Sequence, residues 1–486
     1  MIHTRLDKRQ NQTGEFSCHR RNNNAIWKIK NEEGELLTSQ TNIEITAYNH
    51  FKQFYKEVTI DVDTQVEVVS LLPRFFNEHE ARLLDMPITR DEIKEVLSHL
   101  AADKSPGPDG WPAEFILAFY DLFCEDLYKM VEESRLSGSV SGTLNATFIA
   151  LIPKTDDPSV FSDFRPISLC NLVYKIISKI ISNRIKPKLA QYISKEQFGF
   201  LPERQIIEAI GLAQESLHSI KVKKLQALVL KLDLSKAYDR VNWDTLRMIL
   251  SQIGIPYSVI CWIMACVTSK NYVVLVNGSP TKFFKAGRGL RQGFPLSPLL
   301  FLLMIEVLSR MILAGKEEGF FKGIDITRSL AITHLLFVDD IVIFGSASIR
   351  DWDFLHGLFA RFSLATGMQI NFGKSILTPC GISQDLLAQI QVLFPAQLGS
   401  FDSGLKYLGY HIKANKYRTC DWHWLLRRMD LRIRTWCNRF LSLGRRLTLF
   451  SSVLSAIPVY WFSFGTNPGY YICCIEKIDG KFPVGT

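Results

Sequence analysis

Two apolar runs on either side of a carboxylate pair are the feature that most restricts the fold of this chain. The runs are residues 332–336 and 341–344, with Asp339 and Asp340 between them. Apolar runs of this length predict two buried strands joined by a tight turn. Two carboxylates at the edge of a buried sheet suit a hard divalent cation such as Mg²⁺, which prefers oxygen ligands. Taken alone, however, an Asp pair in a hairpin is more often an ordinary turn, because Asp side chains cap nearby backbone groups.

A third carboxylate, Asp233, lies near the end of another predicted strand. Residues 227–234 form an apolar run broken only by Lys231 before Asp233 is reached. If that strand lies beside the hairpin, we expect Asp233, Asp339 and Asp340 to meet at one sheet edge. Three carboxylates there fit two-metal phosphoryl transfer. The structural alternative for Asp233 is an acid at a helix N-terminus, satisfied by backbone amides.

The remaining patterns alternate helices and strands of uneven length. Periodicity predicts helices at residues 42–57, 113–131, 171–185 and 296–312, and strands at residues 148–153, 272–276 and 281–284. The first of these helices places its apolar side chains on one side: Ile43, Ala47, Phe51, Phe54 and Tyr55. Asn277-Gly278 predicts a hairpin turn, and Thr89 with Glu92 predicts a capping box. Because no parallel βαβ cadence is present, the pattern favours an α+β fold.

Composition and charge indicate a globular protein with a polyanionic partner. The chain is 47% hydrophobic and 22% charged, which excludes a disordered protein. Of the net charge of +9, residues 411–486 carry +8, from twelve Lys/Arg and four Asp/Glu. Residues 165–188 hold six Lys/Arg and no acid. Clustered positive charge indicates a polyanion, although a solvated helix face explains single clusters more often.

The apolar runs predict no membrane association. The longest are residues 298–305, which stop at Glu306, and residues 449–464, which Ser and Pro interrupt. Both are shorter than the roughly 20 residues that a membrane-spanning helix needs. The first thirty residues are polar and basic, so we expect no signal peptide.

A series of motifs resembles one known family. In family order they are KSPGPDG (104–110), LIPK (151–154), FRPISL (164–169), YKIISK (174–179), QFGFLPER (197–204), KLDLSKAYDRVNW (231–243), RGLRQGFPLSP (288–298), FVDD (337–340), INFGKS (370–375), YLG (407–409) and LSLGRRLTLFSSVLSAIPVY (441–460). The chain resembles the reverse transcriptase of non-LTR (LINE-type) retrotransposons, most closely the plant branch. The resemblance runs from about residue 15 over nearly the whole chain.

The resemblance implies an α+β right-hand polymerase fold with an antiparallel palm sheet, helical fingers and a partial helical thumb. It divides the chain into an N-terminal extension (1–100), fingers and palm (101–412) and partial thumb (413–486). The implied activity is RNA-directed DNA polymerisation, with an RNA template, a DNA primer or target, and dNTPs as partners. Two Mg²⁺ ions are the implied cofactors, with Mn²⁺ as an alternative. The implied location is nuclear, with a cytoplasmic ribonucleoprotein stage; the oligomeric state is not predicted.

Catalytic roles follow from the resemblance residue by residue. Asp233, Asp339 and Asp340 match the metal-binding catalytic aspartates. Lys374 matches a basic residue that would act as general acid for pyrophosphate; its alternative is a surface lysine at a turn. In the predicted thumb, an arginine series at near-helical spacing would grip duplex backbone: Arg428, Arg432, Arg439 and Arg446.

The resemblance also implies a set of nucleotide-binding residues: Lys154, Arg165, Leu234, Tyr238, Gln292 and Gly293. Tyr238 matches a steric gate, because a ring beneath the sugar clashes with a ribose 2′-hydroxyl; without the motif it would be a core tyrosine. Gln292 and Gly293 match a turn along nucleotide and template, where Gly permits close backbone approach. Arg165, with Lys154, would hold the triphosphate, since the guanidinium fork suits phosphate.

Two residues depart from the family pattern. Phe294 stands where the family usually has Asp, which places a bulky apolar residue beside the nucleotide site. Val338 stands where this branch usually has Ala, and no endonuclease-like segment or complete thumb is evident. We therefore expect a fragment of a degenerate element, and a catalytically inactive nucleic-acid-binding remnant is the leading alternative. An RNA-dependent RNA polymerase is disfavoured by Tyr238, because such enzymes admit the 2′-hydroxyl.

Overall fold

The computed structural model of the chain describes residues 25–100, 106–268, 271–327, 330–415, 417–436 and 448. These residues form two compact units, each built from separate stretches of sequence. The first lies within Met1–Arg204, Leu232–Phe321 and Asp353–Asn371, and the second within Gln205–Lys231, Lys322–Trp352 and Phe372–Thr486. The domain boundaries given above, after residues 100 and 412, stay predictions.

The α-helices of the described residues are numbered here in chain order. They are α1 (Gln40–Phe54), α2 (Val62–Ser70), α3 (Glu78–Leu84), α4 (Arg90–His99), α5 (Ala113–Ala118), α6 (Tyr120–Ser137), α7 (Leu172–Tyr192), α8 (Ile206–Val222), α9 (Ala237–Arg240), α10 (Trp243–Gln252), α11 (Tyr257–Val267), α12 (Ser297–Glu317), α13 (Ile349–Thr366), α14 (Gln384–Leu393) and α15 (His423–Trp436).

The β-strands are numbered in the same way. They are β1 (Ile29–Lys30), β2 (Leu36–Leu37), β3 (Thr147–Pro153), β4 (Phe164–Cys170), β5 (Ala227–Leu232), β6 (Tyr272–Val276), β7 (Ser279–Pro280), β8 (Ile324–Asp325), β9 (Ala331–Ile332), β10 (His334–Phe337), β11 (Asp340–Ser346), β12 (Ile376–Cys380), β13 (Gln397–Leu398), β14 (Leu405–Tyr407) and β15 (Tyr410–Ile412). Helices and sheets are thus mixed, which agrees with the predicted α+β class.

The first unit contains a four-stranded sheet in the order β4-β3-β6-β7. β3 pairs antiparallel with β4 and parallel with β6, so this sheet is mixed. The predicted turn at Asn277 and Gly278 is confirmed, and both residues have positive φ, as two-residue hairpins require. The strand after it is Ser279–Pro280 rather than residues 281–284, because Phe284 makes only an isolated bridge to Tyr272.

The helix α1 contributes its apolar side to the core of the first unit. Ile43, Ala47 and Phe51 are buried in one cluster with side chains of β3 and β6, as the periodicity predicted. Tyr55 directly follows α1, and its ring stacks on Tyr272 of β6, with 5.4 Å between the centroids. Burying side chains of this size contributes about 1.5–3 kcal/mol each to folding. The N-terminal segment is therefore part of the core of this unit.

The helix α12 is the most deeply buried helix of the first unit, and it extends five residues beyond the predicted end at residue 312. Glu306 does not interrupt it, because its buried carboxylate accepts hydrogen bonds from Arg310 Nε (2.6 Å) and from Ser194 Oγ (2.9 Å). By length and composition α12 could cross a membrane, so the sequence estimate of its apolar length is wrong. Because 78% of its apolar window is buried inside the protein, this is weak evidence for a membrane span.

Three further predictions need correction in the first unit. The helix predicted at residues 171–185 continues to Tyr192. Residues 113–131 do not form one helix, because the backbone leaves helical geometry at Phe119 (φ −113°, ψ 29°) and α6 begins at the next residue. The prediction of a capping box at α4 is only half right, because one of its two hydrogen bonds is present. Thr89 Oγ1 accepts from the Glu92 N–H at 3.1 Å, but the Glu92 carboxylate accepts from Arg184 instead of from the Thr89 N–H.

Part of the basic stretch at residues 165–188 stabilises the first unit. The Arg184 guanidinium donates to the Glu92 carboxylate at 2.8 and 2.9 Å, and also to backbone carbonyls that include that of Met86 at 2.7 Å. Lys188 forms an ion pair with Glu80 of α3. These two cations hold α3 and α4 on α7, so their charge is already compensated within the protein.

The second unit contains a five-stranded sheet in the order β10-β11-β5-β12-β13. β10 pairs antiparallel with β11, and β5 pairs antiparallel with β12. β13, however, pairs parallel with β12, so the prediction of a wholly antiparallel sheet is wrong at this edge. The reason is the helix α14, which lies between β12 and β13 in the chain and supplies the crossover that a parallel pair needs. The helix α8 packs against β10 and β15.

Candidate active site

The tip of the β10–β11 hairpin carries the carboxylate pair. Phe337 pairs with Asp340, so Val338 and Asp339 form the predicted tight turn. Asp339 is exposed and Asp340 is half-buried. Val338 is 6% exposed and has a φ of +61°, in the left-handed region that β-branched residues rarely adopt. Such backbone strain costs about 1–3 kcal/mol at a β-branched residue. The choice between a metal-binding hairpin and an ordinary turn stays a prediction.

A lysine on the adjacent strand compensates one of these carboxylates. Lys231 Nζ lies 3.4 Å from Asp340 Oδ1, and it also donates to the backbone carbonyl of Lys406 at 2.9 Å. The side chains of Lys231 and Asp340 are 25% and 41% exposed, so water reaches this pair. The hairpin tip therefore combines two acids and one cation within the second unit.

Asp233 is the first residue after β5, which ends two residues earlier than predicted. Its carbonyl accepts from the Asn371 N–H at 2.8 Å, and the buried Leu234 forms an isolated antiparallel bridge with Ile370. The next helix, α9, begins only at Ala237, and the acid in its first turn is Asp239. The alternative that Asp233 is a helix N-terminal acid is therefore excluded.

Oxygen ligands at the hairpin tip fit a hard divalent cation by their chemistry. Among the described residues, no group of three or more His, Cys, Asp or Glu side chains is arranged to hold a metal ion. Mg²⁺ is commonly bound by one or two carboxylates, with substrate phosphates and water completing its coordination. Asp339 and Asp340 satisfy the protein's share of that requirement.

Tyr238 lies in α9, in the first unit, with its ring fixed on one side. The ring stacks on Phe301 of α12, with 4.3 Å between centroids and an angle of 12° between the planes. Its backbone carbonyl accepts from the Leu290 N–H at 2.7 Å. Phe301 is fully buried and was hidden from sequence reasoning among the other apolar residues of α12. The half-buried Tyr238 ring thus has a rigid support, as a steric gate requires.

The turn at Gln292 and Gly293 is also held in the first unit. Gln292 Nε2 donates to Asp239 Oδ2 at 2.9 Å, and the Gln292 carbonyl accepts from the Ser168 N–H of β4 at 3.3 Å. Gly293 is exposed with a φ of +88°, and no protein atom lies within 4 Å of where a Cβ would stand. Glycine is required here for its backbone conformation, and the space in front of it is open.

The two predicted phosphate-binding residues lie at one end of the β3–β4 pair. Arg165 is exposed and pairs in register with Ile152, while Lys154 directly follows β3. Lys154 Nζ donates to the Ser162 carbonyl at 2.9 Å. Lys154 also acts electrostatically on Asp239, which binds Gln292. The first unit thus brings Lys154 and Gln292 close to the same buried carboxylate.

That carboxylate, Asp239, was missed by sequence reasoning although it follows Tyr238 in the same motif. It is 2% exposed, and Tyr55 Oη donates to its Oδ1 at 2.9 Å. Burial raises the pKa of Asp239 to about 6, although the hydrogen bond from Tyr55 and the charges of Lys236 and Lys154 act in the opposite direction. No local signal identifies Tyr55, since its partner is 184 residues away.

The side chain of Phe294 lies in the interior of the first unit, and its effect on nucleotide binding stays a prediction. Its side chain is 5% exposed, and its ring lies 4.5 Å from that of Tyr174. The Arg291 guanidinium lies 5.9 Å from the same ring and donates to the Cys266 carbonyl at 2.5 Å. The replacement of the family's usual Asp therefore changes the interior of the first unit.

The other predicted site residues are placed less completely. Lys374 is exposed in the turn before β12, in the second unit. Arg428 and Arg432 lie within α15, whereas Arg439 and Arg446 lie outside the described residues. The roles of Lys374 and of these arginines stay predictions.

A family comparison identifies the class of protein to which these elements belong. Residues 152–412 match the family model described as reverse transcriptase (RNA-dependent DNA polymerase). The match covers more than half of the chain, so the protein belongs to the reverse transcriptase family. This family has a polymerase palm fold, and the mixture of helices and sheets described above is consistent with it.

Individual relatives narrow the comparison to proteins of mobile elements. The chain is 28% identical to the Transposon TX1 uncharacterized 149 kDa protein of Xenopus laevis over 82% of this chain and 30% of that protein. It is 30% identical to the Pol polyprotein from the type-1 retrotransposable element R2 of Nasonia vitripennis, over 54% of this chain and 24% of the relative. It is 26% identical to the RNA-directed DNA polymerase from mobile element jockey of Drosophila funebris, over 59% of this chain and 31% of that protein.

The chain thus spans about a third or less of the length of these curated relatives. The resemblance to the reverse transcriptases of non-LTR retrotransposons is confirmed by these matches. Its assignment to the plant branch stays a prediction.

Proposed function

We propose that this chain is the RNA-directed DNA polymerase region of a non-LTR retrotransposon. It adds deoxynucleotides to a DNA primer 3′-hydroxyl on an RNA template. The observation that carries the proposal is the strained Val338-Asp339-Asp340 turn, at the tip of a hairpin whose strand β11 neighbours β5 in the sheet. Asp233 directly follows β5 in the chain, and its shared role with the other two acids stays a prediction.

Reverse transcriptase domains generally use divalent metal ions, typically Mg²⁺. We assign two Mg²⁺ ions, with Mn²⁺ as an alternative, to Asp339 and Asp340 of the second unit, and Asp233 stays a predicted ligand. When bound, such ions lower the pKa of the attacking hydroxyl and neutralise charge on the transferred phosphate. Lys231, which pairs with Asp340, balances the negative charge of the acids before substrate binds.

The remaining residues bind and select the nucleotide. Tyr238, held against Phe301, excludes a ribose 2′-hydroxyl. We assign the buried Leu234, in the chain segment that follows β5, to the same nucleotide site. Arg165, with Lys154, binds the triphosphate. Gln292 and Gly293 lie along the nucleotide and the template, and Lys374 donates the proton to pyrophosphate. Arg428, Arg432, Arg439 and Arg446 hold the duplex backbone. The reaction takes place in the nucleus, where a chromosomal primer is available, after a cytoplasmic ribonucleoprotein stage.

Primer extension by the full chain tests this proposal. The substrate is a DNA primer annealed to an RNA template, with dNTPs and Mg²⁺, and the variant is Asp339→Asn. Loss of a metal-ligand carboxylate lowers incorporation by at least about a hundredfold, since even outer-shell substitutions cost 10–100-fold. Asp325→Asn is the matched control, because Asp325 is an exposed aspartate of the same unit, on β8.

Each outcome has a definite meaning. Incorporation by the wild type and by Asp325→Asn, but not by Asp339→Asn, supports the polymerase and its site. Equal incorporation by Asp339→Asn would show that the carboxylate assignment is wrong. A folded wild type that binds RNA and incorporates nothing would be the inactive remnant.

A further inference from the structure

A buried carboxylate connects the end of α1 to the Gln292 turn. Asp239 Oδ1 accepts from Tyr55 Oη and Oδ2 accepts from Gln292 Nε2, each at 2.9 Å. An ionised carboxylate can only accept hydrogen bonds, so it fixes the direction of both donors. The Gln292 amide therefore presents its NH₂ group to Asp239, and its oxygen is left as the acceptor for another group.

The backbone around this contact is held by the same helix end. The Gly287 N–H donates to the Tyr55 carbonyl at 2.8 Å, and Arg288 Nη2 donates to the Phe54 carbonyl at 2.8 Å. Gly289 has a φ of +96°, and a Cβ there would lie 2.8 Å from the Asp239 carbonyl oxygen. Only glycine permits this approach, so the segment before Gln292 is packed directly on Asp239.

We infer that Tyr55 and Asp239 are positioning residues that orient the Gln292 side chain for binding the incoming nucleotide. The inference rests on the proposed function, because Gln292 is assigned to the nucleotide there. Orienting a binding group before the ligand arrives removes the cost of ordering it during binding. A tyrosine outside the matched polymerase region, at the end of α1, thereby takes part in nucleotide selection.

Lowering the pH should weaken the hydrogen bonds that join Asp239 to Tyr55 and Gln292. The charged and titratable groups that act on Asp239 are Tyr55, Lys154, Lys236, Tyr272 and Arg288. The pKa of Asp239 is raised by burial to about 6, so the carboxylate is ionised at neutral pH. When it is protonated, the carboxyl loses its charge and the hydrogen bonds that it accepts weaken. A proton on Oδ2 faces the Gln292 NH₂ group, which can only donate, so that hydrogen bond is lost. Removing the Tyr55 hydroxyl raises the pKa of Asp239 further, because that bond favours the ionised form.

Single-nucleotide incorporation across a pH series tests the inference with the full chain. The probe is dTTP on a primer annealed to an RNA template with one templating adenine, with wild type, Tyr55→Phe and Asp239→Asn. Tyr55→Phe should raise KM for dTTP about tenfold with kcat changed less than about twofold, and should move the acidic limb of kcat/KM to higher pH. Tyr48→Phe, on the same helix with its ring against Phe284, is the matched control and should change neither.

The outcomes separate this inference from the proposed function. An unchanged KM and acidic limb in Tyr55→Phe, with an active wild type, would overturn the positioning role and leave the polymerase intact. If the wild type incorporates nothing, the proposed function fails. The same variants are then compared by the amount of dTTP that each protein retains when it is bound to the primer–template. Retention that Tyr55→Phe weakens and Tyr48→Phe does not would support the inference; equal retention, or none by the wild type, would overturn it.

Discussion

The ring of Phe294 lies 4.5 Å from the ring of Tyr174, and both rings pack beside the buried guanidinium of Arg291. Arg291 is 4% exposed, and its guanidinium donates hydrogen bonds to Tyr174, Asn145 and the Cys266 carbonyl near the end of α11. The carbonyl end of a helix is partly negative, which stabilises a cation there. A carboxylate would compensate this buried charge more completely.

Replacing Phe294 by Asp tests that charge balance. Phe294→Ala should lower the free energy of unfolding by about 3–5 kcal/mol, because it removes a large buried side chain. Phe294→Asp should cost about 1.5–3 kcal/mol less than Phe294→Ala, since its carboxylate gains charge-assisted hydrogen bonds from Arg291. Urea denaturation near neutral pH measures both values.

The Arg291→Met background is the control for this prediction. Without the guanidinium, Asp at position 294 gains nothing, so Phe294→Asp should be no more stable than Phe294→Ala. If Asp is equally favourable in both backgrounds, the benefit does not come from pairing with Arg291.

Tyr238 gives a prediction about sugar selection. Tyr238→Val removes the ring that Phe301 supports, so a ribose 2′-hydroxyl no longer meets a rigid surface. Discrimination against rNTPs relative to dNTPs should fall by at least about tenfold, the scale of a lost steric contact in a pocket. Competing rNTP and dNTP incorporation on one primer–template measures this ratio.

Tyr238→Phe is the matched control for the steric gate, because it keeps the ring and its stacking and removes only the hydroxyl. It should retain the wild-type preference for dNTPs. A Tyr238→Val variant that gained no rNTP incorporation would show that another residue selects the sugar.

The elements that sequence predicted well are those whose signal is local. Two apolar runs around the carboxylate pair defined the β10–β11 hairpin, and periodicity defined the buried face of α1. The apolar length of α12 was underestimated because Glu306 looks like a polar boundary until its partners Arg310 and Ser194 are known. The break at Phe119 has no Gly or Pro to mark it.

The same distinction between local and long-range signals applies to the candidate site. The hairpin tip and the Gln292 turn could be located because their residues are adjacent in recognisable motifs. The contacts that fix them could not, because Tyr55, Phe301 and Ser168 are distant in sequence from Asp239, Tyr238 and Gln292. The burial of the Phe294 side chain was likewise not predicted from the sequence. Long-range packing therefore supplied what the motifs lacked.

His50 gives a prediction for the pH dependence of stability. Burial, followed by the nearby charge of Lys236, lowers the pKa of His50 from 6.5 to about 4, and its ring stacks with Phe54 and lies near Phe161. Above pH 6.5 neither state binds the proton. Between pH 6.5 and 4 only the unfolded state does, so stability is lost as the pH falls through this window. The loss by pH 4 should be about 2–3 kcal/mol.

His50→Phe is the control, because a phenyl ring fills the same aromatic cluster and does not titrate. Urea denaturation at several pH values between 7.5 and 4 gives the difference in the free energy of unfolding between the two proteins. The contributions of acidic residues that titrate in both proteins cancel in this difference. The wild type should lose stability relative to His50→Phe as the pH falls. A constant difference over this range would show that folding does not change the protonation of His50.

The ion pair between Lys231 and Asp340 predicts how the site responds to metal. A cation 3.4 Å from a carboxylate oxygen opposes the binding of a second cation to the same carboxylate. Lys231→Met should therefore tighten Mn²⁺ binding two- to tenfold at low salt, and less at high salt, because the pair is partly exposed and screened. Electron paramagnetic resonance of free Mn²⁺ measures binding without requiring activity.

Lys224→Met, which removes an exposed lysine from the same unit, is the control and should leave Mn²⁺ affinity unchanged. Weaker binding by Lys231→Met would instead mean that the lysine holds Asp340 in its binding position, and unchanged binding would show that Asp340 does not hold the metal.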